Sequence, residues 1–317
     1  MTFLTGFDFA AAAGIVDVVV AEGEGYFDEM CLDVELQAGF PDANAAQLAA
    51  GSAQFADASS FGQLVRANVR GEVDLMAYSQ LGHTSVASLV VPAGTIDSLS
   101  DLQGTTIGIK GDLPAAVEAM LYVEGVPRGT FEELLLDGFD PVAHLALGID
   151  ALPVYKSNEP ASLDDAGIDY VEFDPLDYDI PASFAVYINS RENYEKWPTV
   201  IEDFVRAGLR GYQFAAENPE AAVAYAFELI NVAGNQFWLA EPHELGRWRV
   251  EQAMVESTTP DGFGIGQLNT PRLGEEIRML VDLGQFETLP DWESMLDDSV
   301  VPKLYDDSGE LIWVPMN

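Results

Sequence analysis

The chain has 317 residues, 48% of them apolar, enough for one large core or two smaller ones. It carries 14 Lys and Arg against 53 Asp and Glu, a net charge of −39, with lysine only at Lys110, Lys156, Lys196 and Lys303. A surface this negative repels phosphate backbones and anionic lipid, which argues against nucleic-acid and membrane-surface binding and is explained most simply by solubility in a salty medium. No apolar run reaches the roughly 18 residues a bilayer span needs. Met1 to Asp8 lack a basic segment leading into an apolar one, so an exported form would need its signal or lipid-anchoring segment ahead of them. The single cysteine, Cys31, makes no internal disulfide and is expected to be buried and inert.

In chain order, residues 3–9 read as a short strand ending in the aromatic-acidic turn Phe7-Asp8-Phe9. Residues 10–29 have helical composition, with Ile15, Val16, Val19 and Val20 at helix spacing. Residues 32–36 alternate as a half-exposed strand, residues 44–50 form a helix stopped by Gly51, and residues 54–58 form a third strand. Ser59-Ser60 then turns the chain into a helix over residues 61–70. This alternation predicts an α/β domain with a largely parallel sheet. A second series begins near Pro92, with a strand over residues 105–109, a helix reaching Val123 and strand material in residues 147–155 and 169–173. Residues 184–189 return as an apolar strand, and four helices follow over residues 200–218, 219–231, 242–256 and 271–283. Pro219 and Pro271 stand in first turns, where a missing N–H costs nothing. The expected architecture is two α/β lobes, residues 1–92 with 188–317 and residues 93–187, with a hinge and a ligand cleft. Ligands of open parallel sheets bind beyond the carboxyl ends of the strands, so the turns there are the places to look.

Several segments resemble one family. Gly25-Tyr26-Phe27, Leu32-Asp33-Val34-Glu35, Leu48-Ala49-Ala50-Gly51, Phe55-Ala56, the strand entry from Ser100 to Gly108 and Leu296-Asp297-Asp298-Ser299 are similar, in this order, to solute-binding proteins of the Thi5/NMT1-like and sulfonate/nitrate/taurine families. Ser157-Asn158-Glu159-Pro160, Ala166-Gly167 and Asp177-Tyr178-Asp179-Ile180 look most like the Thi5-like branch. That resemblance implies a class II periplasmic-binding-protein fold and the capture of a thiamine-pyrimidine precursor or riboflavin. It also implies an ABC permease as membrane partner, a periplasmic or lipid-anchored location, a monomer, and no cofactor. Enzymes of the branch carry a cysteine-rich motif that a chain with Cys31 alone lacks. Where the branch commonly has a tryptophan in the first strand-helix turn, Phe7-Asp8-Phe9 stands here.

The residue chemistry fits a polar, planar ligand. Phe7 and Phe9 offer stacking faces and Asp8 an acceptor, although phenylalanines there also serve a core and aspartate a helix cap. Ser59 and Ser60 open a helix with hydroxyls and free N–H groups, as ligand donors or as a routine cap. Gly111 and Asp112 form the equivalent turn of the second lobe, where Lys110 pairs with Asp112 or with a ligand. Asn158 beside Glu159 presents donor and acceptor together, suited to an aminopyrimidine or flavin edge. Tyr187 and Trp238 are further aromatic candidates by placement. His83, His144 and His243 show no metal-ligand spacing, and no nucleophile-base set is evident. Two alternatives stay open: a sulfonate, nitrate or taurine binder using serine hydroxyls, backbone N–H groups and Lys110 or an arginine, and a pyrimidine-acting enzyme.

Overall fold

The computed structural model describes residues 1–71, 73–234 and 240–314, so Trp238 lies outside the described residues. Its strands are β1 (Thr2–Leu4), β2 (Glu35–Gln37), β3 (Phe55–Asp57), β4 (Leu75–Gly82), β5 (Ala87–Pro92), β6 (Thr106–Ile109), β7 (Glu132–Leu135), β8 (Leu152–Tyr155), β9 (Tyr170–Phe173) and β10 (Phe184–Ser190). The α-helices before β10 are α1 (Val16–Gly23), α2 (Tyr26–Glu29), α3 (Pro41–Ala49), α4 (Phe61–Val69), α5 (Ala115–Val123), α6 (Pro141–Leu145) and α7 (Glu159–Asp165). Those after it are α8 (Arg191–Lys196), α9 (Pro198–Glu217), α10 (Pro219–Ala233), α11 (Glu241–Thr258) and α12 (Thr270–Asp282).

The chain forms two compact α/β units, one of Met1–His83, Ser183–Ile277 and Pro290–Asn317, the other of Thr84–Ala182 and Arg278–Leu289. The boundaries expected at 92/93 and 187/188 fall at the end of β5 and inside β10. β5 pairs antiparallel with β8 and β9 in the second unit, and β10 pairs with β3 and β4 in the first. Each strand thus keeps to one unit, because dividing a strand would break its ladder.

The first unit is built on a five-stranded sheet ordered β2-β1-β3-β10-β4. β1 lies parallel to β2 and β3, while β10 runs antiparallel to β3 and β4. Its core stacks Phe204 of α9 on Phe55 at 4.1 Å, Phe27 at 5.2 Å and Phe3 at 5.5 Å between ring centroids. The second unit holds a three-stranded sheet, β8-β5-β9, and the parallel pair β6-β7. Leu89, Val91, Ile107, Val117 and Met120 are among the buried residues of its larger core.

Two expectations are corrected here. The first helix starts at Val16, not at residue 10. Gly14 takes φ +84°, and the N–H groups of Ala11 and Ala13 donate to Glu244 and Glu251 of α11, each at 2.7 Å, instead of entering a helix. Cys31 is exposed rather than buried, at φ +56° in the turn after α2.

Candidate functional site

In the first unit, β1, β2 and β3 all point their carboxyl ends at one edge of the sheet, and antiparallel β10 begins there. Asn44 of α3 braces that edge: buried, it donates to the carbonyls of Thr5 at 2.9 Å and Asp57 at 3.1 Å, tying the ends of β1 and β3 together. Phe7 leaves β1 and Phe40 leaves β2, and both rings are half exposed, 46% and 50%. They meet edge to face, 5.7 Å between centroids. Asp8 beside them is half-buried and Phe9 is buried. A large exposed aromatic pair at the ligand-binding end of a parallel sheet is a surface suited to stacking.

Behind the pair lies Asp57, the last residue of β3. Its Oδ1 accepts the Ser59 N–H at 2.6 Å and the Val186 N–H at 3.1 Å. The two turns it holds are strained: Ser59 at φ +62° and Ala185 at φ +53° occupy the left-handed region that non-glycine residues avoid. A Cβ on Gly6 or on Gly14 would stand 2.7 Å from Asp57 Oδ2, so both positions need glycine to clear the carboxylate. Burial raises the Asp57 pKa to about 7 against the pull of its two N–H donors. Asp17 of α1 is pushed further, to about 8, by burial and by the charge of Asp57. The Tyr187 hydroxyl donates to Asp17 Oδ2, and its ring packs edge-on against Phe3 at 5.6 Å. Tyr187 is therefore turned into the core, where it supports Asp17. Ser60 caps α4, its Oγ accepting the Gln63 N–H at 3.3 Å.

Glu159 and Lys110 meet in the second unit. The buried Glu159 carboxylate at the start of α7 binds the Lys110 ammonium through one oxygen, and its other oxygen accepts the Tyr155 N–H at 2.8 Å. Lys110 thus pairs with Glu159, not with Asp112. Asp112 is exposed and takes Arg128 Nη2 at 3.0 Å. Gly111 sits at φ +82° with open space where a Cβ would stand, and Asn158 is the half-buried residue preceding α7. Tyr155, half exposed, closes β8 one turn earlier.

The sequence-predicted residues fall into two groups: Phe7, Asp8, Phe9, Ser59, Ser60 and Tyr187 in the first unit, and Gly111, Asp112, Asn158 and Glu159 in the second. Phe40, Asn44 and Asp57 were missed. The Gly39-Phe40-Pro41 turn was a legible signal for the first; Asn44 and Asp57 look like ordinary polar residues until the strand ends converge. A separate pocket of about 290 Å³ in the first unit, lined by Tyr212, Gln213, Glu256, Phe263 and Tyr305, contains none of these residues. Among the described residues no group of three His, Cys, Asp or Glu side chains is placed to hold a metal, and no helix is long and apolar enough to cross a membrane.

These two α/β units define a periplasmic-binding-protein fold. The aliphatic sulphonate binding protein SsuA from Escherichia coli superimposes with a TM-score of 0.71 at 13% identity, over 99% of this chain and 92% of that one. The desulfurization enzyme DSZB does so at 0.61 and 14% identity, over 95% and 98%. Within this fold the chain belongs to the NMT1/THI5 like family, whose sequence pattern matches residues 13–222. The formylaminopyrimidine-binding protein of Halalkalibacterium halodurans is 30% identical over 218 residues, 64% of this chain. The match spans about 63% of that relative's length.

Proposed function

We propose that this chain is the extracytoplasmic solute-binding component of an ABC importer, and that it captures an aminopyrimidine-type heterocycle and delivers it to a membrane permease. The observation that carries the reading is the exposed Phe7–Phe40 pair beyond β1 and β2, a stacking surface with the acceptor Asp8 beside it. Phe7 and Phe40 supply apolar contact to a planar ring, and Asp8 accepts from an exocyclic amino group. Ser59, fixed by Asp57, supplies a hydroxyl at the same edge. In the second unit, Gly111, Asp112 and Asn158 are proposed as that unit's own ligand contacts. The family and the formylaminopyrimidine-binding relative support this solute class.

A sulfonate or nitrate is disfavoured because Lys110, one cation that could hold it, is already paired with Glu159. A cysteine-dependent enzyme is disfavoured because Cys31 precedes β2, at the amino ends of the strands, away from the site. A thermal-shift panel of formylaminopyrimidine, aminopyrimidines, riboflavin, taurine and an alkylsulfonate tests the proposal. Ligand at a hundred times its Kd should stabilise the fold by about 2.7 kcal/mol, a rise of a few degrees in Tm. A rise with aminopyrimidines alone is expected; a rise with the sulfonate and none with any heterocycle would overturn it.

A further inference from the structure

The start of α4 is where this sheet would meet an anion. It follows a parallel strand directly, and its first N–H groups are unpaired within the helix itself. Here each of them is taken. The Phe61 N–H donates to Ser183 Oγ at 2.9 Å, the Gly62 N–H to Glu276 Oε1 at 2.8 Å and the Gln63 N–H to Ser60 Oγ at 3.3 Å. The Ser183 hydroxyl in turn donates a hydrogen bond to Glu276 Oε2 at 2.7 Å. Ser183 and Glu276 are both buried, and Trp292 lies edge-on to Phe61 at 6.3 Å, closing off the surroundings. A carboxylate from α12, some 200 residues along the chain from α4, therefore stands where an oxyanion's oxygens would receive these N–H groups.

We propose that the Glu276 carboxyl occupies the anion position at the α4 N-terminus and is a specificity-determining residue: it closes that helix start to sulfonates and other oxyanions. A bound oxyanion would have to displace a buried carboxylate and leave it without partners, which is costly. What this helix start refuses is independent of which heterocycle the chain accepts.

The test uses the full chain at fixed ionic strength, with chloride replaced by formate or methanesulfonate. In Glu276→Ala the vacated space should accept the small anion, so the variant melts below wild type in chloride and regains most of the lost Tm in formate, saturably. Glu276→Gln, which fills the space and keeps an acceptor for Gly62, should show no such difference between salts. Equal melting of Glu276→Ala in all salts would overturn the proposal. Should Glu276→Ala not fold in chloride, its refolding in formate is the expected result, and failure in formate as well counts against the proposal. Wild-type protein gives a variant-free arm: calorimetric titration with methanesulfonate should show no saturable heat. Saturable binding that is lost in Ser183→Ala would contradict the idea directly.

Discussion

Asp57 organises the edge of the first sheet through one oxygen, which pins two left-handed turns at once. Asp57→Ala strands the N–H groups of Ser59 and Val186 and should cost about 2–6 kcal/mol in urea unfolding, since each unsatisfied buried donor costs about 1–3 kcal/mol. Asp57→Asn keeps the acceptor and should cost less than about 1 kcal/mol. A comparable loss in both variants would show that the charge, not the acceptor, holds the turns. In the second unit, Lys110→Met leaves the buried Glu159 carboxylate without its cation, with an expected loss of about 3–5 kcal/mol. Adding Glu159→Gln should recover much of it, and a double-mutant cycle measures the coupling.

At the scale of elements, periodicity and turn chemistry were enough to read α3, α4, α5, β3, β6 and the long helices α9 to α12. The helices are marked by spacing, proline and glycine signals, and β3 and β6, although buried on both faces, are short runs bounded by turn residues, so all are legible locally. β4 and β5 escaped because nearly every residue is buried, leaving no alternation to read. The start of α1 escaped because carboxylates over 200 residues away hold the N–H groups of residues 11 and 13. The site was legible to the same extent. Phe7, Asp8 and Ser59 sit in turns that strand order alone identifies. The partners of Glu159, the inward turn of Tyr187 and the role of Glu276 depend on distant segments meeting. Ser60→Ala tests an element directly: losing the α4 cap should cost about 0.5–2 kcal/mol in unfolding free energy. An unchanged stability would mean that Ser183 and Glu276 alone secure that helix start.

For the whole molecule, buried acids set the pH response. Asp17 at about 8 and Asp57 and Glu276 at about 7 all bind protons more tightly folded than unfolded. Their stabilising contribution is full below the ordinary carboxylate range, near pH 4, and is lost as pH rises through 7 to 8. His83, buried and lowered to about 4, acts in the opposite sense: its contribution is present above pH 6.5 and is lost as pH falls through 4. Three groups against one make the net contribution fall between about pH 4 and 8, a decline that calorimetry across pH would record. Salt should raise the Tm at pH 8, because screening relieves repulsion among charges that sum to −39. A Tm that rises from pH 6 to pH 9 would contradict this description of the buried acids.

A planar aminoheterocycle stacked at the carboxyl edge of the first sheet draws its contact from Phe7 and Phe40. Calorimetric titration of wild type, Phe7→Ala and Phe40→Ala with formylaminopyrimidine tests it most directly. Saturable one-site binding by wild type is expected, weakened by about 2- to 10-fold in each variant, as for losing about 0.5–1.5 kcal/mol of ring contact, while the fold loses no more than the Phe7–Phe40 contact itself, about 0.5–1.5 kcal/mol. Wild-type affinity retained in both variants would place the solute elsewhere, and no binding of any aminopyrimidine by wild type would contradict the claim outright.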